Sequence, residues 1–267
     1  MNKLLTQRNG QMAENNSEIN NILKKNERID DLNLDGLKII QNPSQFCFGV
    51  DAVLLAYFAA QGIKKWARVL DLCSGNGIIP ILLTHKSAAE HITGLEIQSA
   101  VAEMAGRSVA LNRLEAQIDI VCGDLRHGSE IFGRSSFHNI TCNPPYKENG
   151  GGIKNKFDVS AIARHEIMCN LEDVIKVSAE LLTPGGKLAL IHRPERLADI
   201  FWHMRNNKIE PKRLRMVHPS YGKTATMVLV EGAYCGRPKL FLEPPLYIHK
   251  SDGSGYTEEI DLIYERN

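Results

Sequence analysis

Two hydrophobic regimes alternate along this chain. Short continuous apolar runs lie near 67–72, 92–97, 117–122, 137–142, 187–192, 209–217 and 225–231, bounded by Gly, Pro, Asn and Asp, and read as buried strands. Between them apolar residues recur at helical spacing near 77–86, 98–113, 160–168, 171–182 and 194–206, with an earlier helix over 51–61 whose expected N-cap is Asp51. Asn170 is placed to cap the helix over 171–182, and Pro184, Gly185 and Gly186 to end it. This alternation predicts an α/β fold: a seven-stranded, mostly parallel sheet with helices on both faces. The last two strands have no helix between them and form an antiparallel hairpin at one edge. Residues 32–41 make a short element, and Pro238 to Leu246 run extended along the sheet edge. Thr6 to Asn21 is polar and without periodicity, which marks 1–25 as disordered or as an extension outside the fold.

Open α/β sheets bind ligands beyond the carboxyl ends of their strands, so the residues there come first. Asp71 closes the first strand of the alternating run, Gly75 and Gly77 form the turn, and the next helix begins with Pro80 in its first turns, where a missing N–H costs little. The two glycines let backbone approach a ligand closely, and the helix start offers unpaired N–H groups. The dinucleotide fingerprint G-x-G-x-x-G fails because Pro80 stands at its third glycine. Asp71 would repel a pyrophosphate but neutralise an ammonium or sulfonium group. The next strand ends at Glu96, whose carboxylate can accept hydrogen bonds from ribose hydroxyls, and the one after it at Asp124. Each acid alone is a solvated strand-end carboxylate; three at successive strand tips define a ligand edge.

Asn143, Pro144, Pro145 and Tyr146 follow the fourth strand of that run. A residue before proline is driven to extended geometry, and the prolines contribute no N–H, so the turn presents acceptors. The exocyclic amine of adenine, cytosine or guanine, or a glutamine amide, carries two N–H donors and a lone pair conjugated into its π-system. Two acceptors outside that plane favour a pyramidal nitrogen able to attack an electrophile, and Tyr146 can hold a base by stacking worth about 1–3 kcal/mol. Alone, N-P-P-Y is a rigid strand-to-loop turn; one strand away from three acids it is an amine site. Behind it, residues 147–157 hold Gly150, Gly151 and Gly152, a loop suited to closing over an extruded base and meeting phosphates through Lys147, Lys154 and Lys156. A mobile surface loop is the plain alternative.

Together these residues resemble the S-adenosylmethionine-dependent methyltransferase superfamily in its amino-methylating branch, which implies the Rossmann-like class I fold. The resemblance places Asp71, Gly75 and Gly77 around the methionine part of the cofactor, Glu96 on the ribose, Asp124 near the adenine amine, and Asn143 to Tyr146 around the substrate amine. It extends the cofactor set to Cys73, Ile97, Leu125 and Asn143, and to Asp51, from a segment that family members close over the methionine end. Cys73 stands where many members carry glycine. Segments 26–32, 45–56, 161–166 and 192–196 are similar to bacterial tRNA (adenine-N6) methyltransferases that modify adenine 37 of a valine tRNA, in the form found in Gram-positive bacteria, and the likeness covers roughly 26–263. It implies a cofactor-covering segment over 26–62, a methyltransferase domain over 63–250 and a tail over 251–267. It also implies tRNA as partner and direct in-line transfer without a covalent intermediate. Oligomeric state is left open.

Composition narrows the rest. With 43% hydrophobic and 24% charged residues the chain is globular, no apolar run reaches the length of a membrane span, and residues 1–5 are too short for a signal core, which predicts a cytoplasmic protein. Six cysteines never form C-x-x-C, and Cys169 interrupts H-E-x-x-H after His165 and Glu166, so no metal site is expected. Net charge is only +1, yet twelve Lys or Arg face five acids between Gly185 and Lys250. Lys212, Arg213 and Arg215 in a strand-like segment are the candidates there for phosphate contact. Three rivals stand beside tRNA adenine methylation. A protein glutamine methyltransferase usually carries a larger helical domain before the cofactor turn, a guanine-N2 rRNA methyltransferase fits the flanking segments less well, and an inactive RNA-binding module would not need the acids and Asn143 together.

Overall fold

The computed structural model describes residues 22–44, 47–144 and 170–266. An N-terminal antiparallel pair, β1 (Arg28–Asp31) and β2 (Lys38–Gln41), leads into α1 (Val50–Ala60). Then come β3 (Arg68–Leu72), α2 (Ile78–Lys86), β4 (His91–Glu96), α3 (Ser99–Leu111), β5 (Ile118–Cys122), α4 (Gly128–Phe132) and β6 (Phe137–Cys142). The second half holds α5 (Leu171–Leu181), β7 (Leu182–His192), α6 (Leu197–Asn206), β8 (Ile209–Ser220), β9 (Met227–Tyr234), β10 (Phe241–Leu242), β11 (Leu246–His249) and α7 (Glu258–Ile263).

The main sheet runs β10-β8-β9-β7-β6-β3-β4-β5, with β11 also on β8. β5, β4, β3, β6 and β7 are parallel neighbours, and β9 is antiparallel to both β7 and β8. This is the Rossmann-like class I methyltransferase sheet, with helices on both faces. The seven expected strands are joined at the edge by β10 and β11, so the extended tail after Pro238 becomes part of the sheet.

β3 shows why the interior is read so easily from sequence. Val69, Leu70 and Leu72 are fully buried, Val69 in the core beneath α1 and α2, Leu70 and Leu72 in the core beneath α5 and α6. A strand covered on both faces has no polar side to alternate with. Ile39, Ala52, Phe58, Ile260 and Ile263 join the first core, so the segments before residue 63 and after residue 250 pack onto the same body as the sheet. Side chains of Asn170 and Asp173 form a reciprocal capping box at the start of α5.

Two expectations are corrected. The N-cap of α1 is Gly49, and Asp51 sits inside the first turn. Pro184, Gly185 and Gly186 lie within β7 instead of closing a helix, since β7 starts at Leu182 directly after α5, and its pairing with β6 shifts register between Phe137 and Asn139. The short element expected over 32–41 contains β2, paired with β1. The helix expected over 160–168 lies outside the described residues.

Candidate cofactor and amine site

Asp71 is the most deeply buried acid of the ligand edge, with no solvent exposure. It is the register partner of Thr141 on the neighbouring parallel strand β6, and the Thr141 hydroxyl donates to its Oδ1 at 2.6 Å. Its other oxygen, Oδ2, has no hydrogen-bond partner, nor do Ser74 Oγ and Asn76 Nδ2 in the turn that follows. Burial pushes the Asp71 carboxyl up to about 7; Thr141 and the nearby Ser74 hydroxyl, which lies close without bonding geometry, lower it, and Glu96 raises it further. None of these groups is a cation, so a cationic ligand would supply what this carboxylate lacks.

The turn between β3 and α2 is shaped for close approach. Cys73, Gly75 and Gly77 all have left-handed φ, at 58°, 57° and 84°. Cys73 therefore adopts the backbone a glycine would, with a side chain attached. A Cβ built on Gly75 meets nothing within 4 Å, which leaves open space over the turn. Glu96 pins it from the next strand: Gly75 N–H donates to Oε2 at 3.0 Å and Gln98 N–H to Oε1 at 2.9 Å. Ile97 is half-buried beyond Glu96, and Leu125 is buried.

Asp124 caps the short 3-10 turn at Leu125–His127 and accepts from Arg126 N–H at 2.9 Å; the Arg126 guanidinium also pairs with it and holds its carboxyl below the usual carboxylate range. Any amine reaching Asp124 shares it with Arg126.

Asn143 follows directly on β6, whose Cys142 is level with Leu72 of β3. The amine site and the glycine turn thus leave adjacent strand tips. Asn143 Nδ2 donates to Asp51 Oδ2 at 2.8 Å, so α1 reaches over the strand ends and takes the amide's donor side. The carbonyl oxygen of Asn143 is the side left to accept from an amine. Pro144 is buried beside it; Pro145, Tyr146, Lys147, Lys154 and Lys156 lie outside the described residues.

The basic segment on β8 is engaged within the fold. Arg213 pairs with Glu243 at 2.7 Å and Glu231 at 3.3 Å and lies over the Phe58 ring at 4.1 Å. Arg215, itself buried, pairs with Glu259 at 2.6 Å and donates to the Pro244 carbonyl. Lys212 donates to the Arg237 carbonyl. The charge of the two arginines is thus met by acids of the fold itself.

Sequence reasoning missed Thr141, Ser74, Asn76 and Arg126. The signal for Thr141 was a polar residue inside the otherwise apolar run of Ile140 and Cys142, one strand from Asp71. Among the described residues no three His, Cys, Asp or Glu gather as a metal site, and no helix is long and apolar enough to cross a membrane.

A model of the family described as the methyltransferase small domain matches residues 37–201, from β2 through the start of α6. The chain belongs to that family. Among its relatives is the tRNA1(Val) (adenine(37)-N6)-methyltransferase of Porphyromonas gingivalis strain ATCC 33277, 30% identical over 189 residues, which cover 68% of this chain and 72% of the relative. The fold resembles a predicted O-methyltransferase from Agrobacterium tumefaciens, at a TM-score of 0.65 and 24% identity over 80% of this chain and 95% of that one. It also resembles TYW2 of M. jannaschii, solved with AdoMet, at 0.54 and 13% identity over 79% and 87%. This methyltransferase small-domain protein is an S-adenosylmethionine-dependent enzyme. The orphaned oxygen of Asp71 and the open space above Gly75 fit that cofactor, which carries both an α-amino and a sulfonium cation.

Proposed function

We propose that the protein methylates the N6 amine of an adenine in tRNA, adenine 37 of a valine tRNA, as a member of the Gram-positive form of that group. The observation that carries this reading is the Asn143–Asp51 hydrogen bond at the tip of β6, next to the turn with unsatisfied acidic and polar groups. The activity named for the Porphyromonas gingivalis relative, tRNA1(Val) (adenine(37)-N6)-methylation, supports the choice of tRNA adenine.

In this reading Asp71 holds the cationic end of the cofactor, Glu96 accepts from the ribose with the lone pairs that Gly75 and Gln98 leave, and Asp124 faces the adenine. When bound, S-adenosylmethionine supplies an electrophilic methyl group. Asn143 Oδ1 and the Pro144 carbonyl accept the two N–H groups of the substrate amine. They draw its nitrogen out of conjugation and stabilise the positive charge that develops there. Tyr146 stacks on the extruded base, and Lys147, Lys154 and Lys156 meet neighbouring phosphates. No side-chain nucleophile is required, and the proton departs to water after transfer.

The test is incubation of purified protein with methyl-labelled cofactor and separate tRNA, rRNA and protein pools, followed by nucleoside and amino-acid analysis. N6-methyladenosine in tRNA is the expected product; label in glutamine or N2-methylguanosine instead would replace this reading. Asn143→Ala should abolish transfer while cofactor affinity, measured by calorimetry, stays near that of the wild type.

A further inference from the structure

At the side of the sheet far from β5, β10 pairs with β8 on its inner flank and, among the described residues, with no strand on its outer flank. An apolar strand at such an edge is a template for another strand, because its outward N–H and C=O groups lack partners. Leu240, Phe241 and Leu242 are 39%, 53% and 72% exposed, so the edge is open to a second chain. Successive residues of a strand send their backbone groups to opposite sides. Glu243 N–H donates inward to the Leu214 carbonyl at 2.8 Å, so Phe241 also faces β8, and Leu240 and Leu242 direct their N–H and C=O groups outward.

The segment is complementary to itself. It reads Lys239, Leu240, Phe241, Leu242, Glu243, with Pro238 before it and Pro244 after it. Run antiparallel to a second copy with Phe241 opposite Phe241, it sets Leu240 against Leu242 and Lys239 against Glu243, each pair repeated by symmetry. Leu240 and Leu242 then exchange both of their outward hydrogen bonds, and the Phe241 pair is the non-hydrogen-bonded one between them. Side chains agree with this register. Lys239 lies on the face of Phe241, its ammonium 4.7 Å from that ring, and Glu243, paired with Arg213 at 2.7 Å, keeps a partly exposed carboxylate that a second cation can reach. A parallel pairing sets like charges opposite each other. An antiparallel shift by two residues brings Pro244, which has no N–H, against Leu240 and leaves the Leu240 carbonyl unbonded.

We propose that β10 pairs with β10 of a second copy of this chain, forming a twofold dimer whose sheet is continuous across the interface. Charge and backbone groups both match the chain's own edge, and this selects a second copy over an unrelated protein. The twofold axis stands perpendicular to the sheet between the two Phe241 residues, so the two ligand edges lie at opposite ends and both cofactor turns stay open. A ladder bounded by prolines at both ends is short and buries little area, so the copies associate in the micromolar range and their dimer fraction rises with concentration.

Sedimentation velocity of the full chain, from low micromolar to a few hundred micromolar, measures the dimer Kd for the wild type and for Leu242→Lys, with the Kd of S-adenosylmethionine as a check on folding. The wild type should dimerise, and Leu242→Lys, which places a charge on an exposed edge position, should raise the dimer Kd about thirtyfold or more while cofactor affinity holds. Register is read by cysteine cross-linking under diamide, with the wild type as the background for its own thiols. Phe241→Cys should give a covalent dimer, because opposed residues of a non-hydrogen-bonded pair have Cα atoms about 4.5 Å apart, within disulfide reach. Leu240→Cys should not rise above background, since its symmetry mate lies about 8 Å away, two residues out of step. A wild type that stays monomeric throughout overturns the proposal and leaves the edge to another protein. Dimers unaffected by Leu242→Lys also overturn it, because the copies then join elsewhere, and cross-linking of Leu240→Cys in preference to Phe241→Cys overturns the register.

Discussion

Asn143 and Asp51 are 92 positions apart in sequence and share one hydrogen bond. Each was singled out from sequence alone, Asn143 from its prolines and Asp51 from its place at a helix start. That one orients the other was not legible, because it depends on α1 lying across the strand tips, a tertiary fact that no local pattern encodes. A primary amide can present either its oxygen or its nitrogen to a ligand, and a carboxylate accepts only, so Asp51 fixes which end of Asn143 faces the amine. Asp51→Asn removes that discrimination without changing shape. A hydrogen bond to a charged group contributes about 2 kcal/mol, so kcat should fall roughly thirtyfold. Steady-state kinetics should show the KM for S-adenosylmethionine little changed; a matching rise in that KM would reassign Asp51 to cofactor binding. Asp71 was legible for a different reason, as a carboxylate among buried strand residues, where only a partner or a ligand makes such a position tolerable.

At the level of elements, the parallel half was readable because each strand is a continuous apolar run closed by a turn signal, and each helix carries its own period. The edge was harder. β10 and β11 are two and four residues long and owe their existence to β8, which offers them an unpaired flank. The same edge explains why Lys212, Arg213 and Arg215 resembled a phosphate patch in sequence. Charge counts see residues but not partners, and here the partners Glu231, Glu243 and Glu259 come from β9, the tail and α7. Arg213 ties β8 to β9, to the tail and to Phe58 of α1, with Glu231 only 1% exposed. Arg213→Ala leaves Glu231 with Lys187 alone and Glu243 without its arginine, and should cost about 3 kcal/mol in urea unfolding. The salt dependence of tRNA binding should not change in the same variant, which separates a structural arginine from a phosphate contact.

Across the whole molecule, two buried groups titrate in opposite senses. The Asp71 carboxyl is raised from 3.8 to about 7 by burial, so between those values the folded protein holds a proton that the unfolded chain has lost. Stability from this group is fully present below pH 3.8 and is lost as pH rises through about 7. His192, at the end of β7, is lowered from 6.5 to about 4, first by burial and then by Arg196. Between those values the unfolded chain holds the proton and the folded protein does not, so stability from His192 is present above pH 6.5 and is lost as pH falls through about 4. Within its window each group contributes a slope of about 1.4 kcal/mol per pH unit, of opposite sign, and the windows overlap from about pH 4 to 6.5. These two contributions nearly cancel there in the ligand-free wild type. Asp71→Asn removes one slope and should leave a protein whose unfolding free energy falls as pH drops from 6.5 towards 4. His192→Gln removes the other and should give the reverse trend. Urea denaturation at half-unit pH steps reads both directly, and parallel curves for the two variants would refute the pairing. S-adenosylmethionine adds a linked signature: its cations favour ionised Asp71, so its binding to the wild type should release a proton near and below pH 7, and binding to Asp71→Asn should be weaker and free of that release.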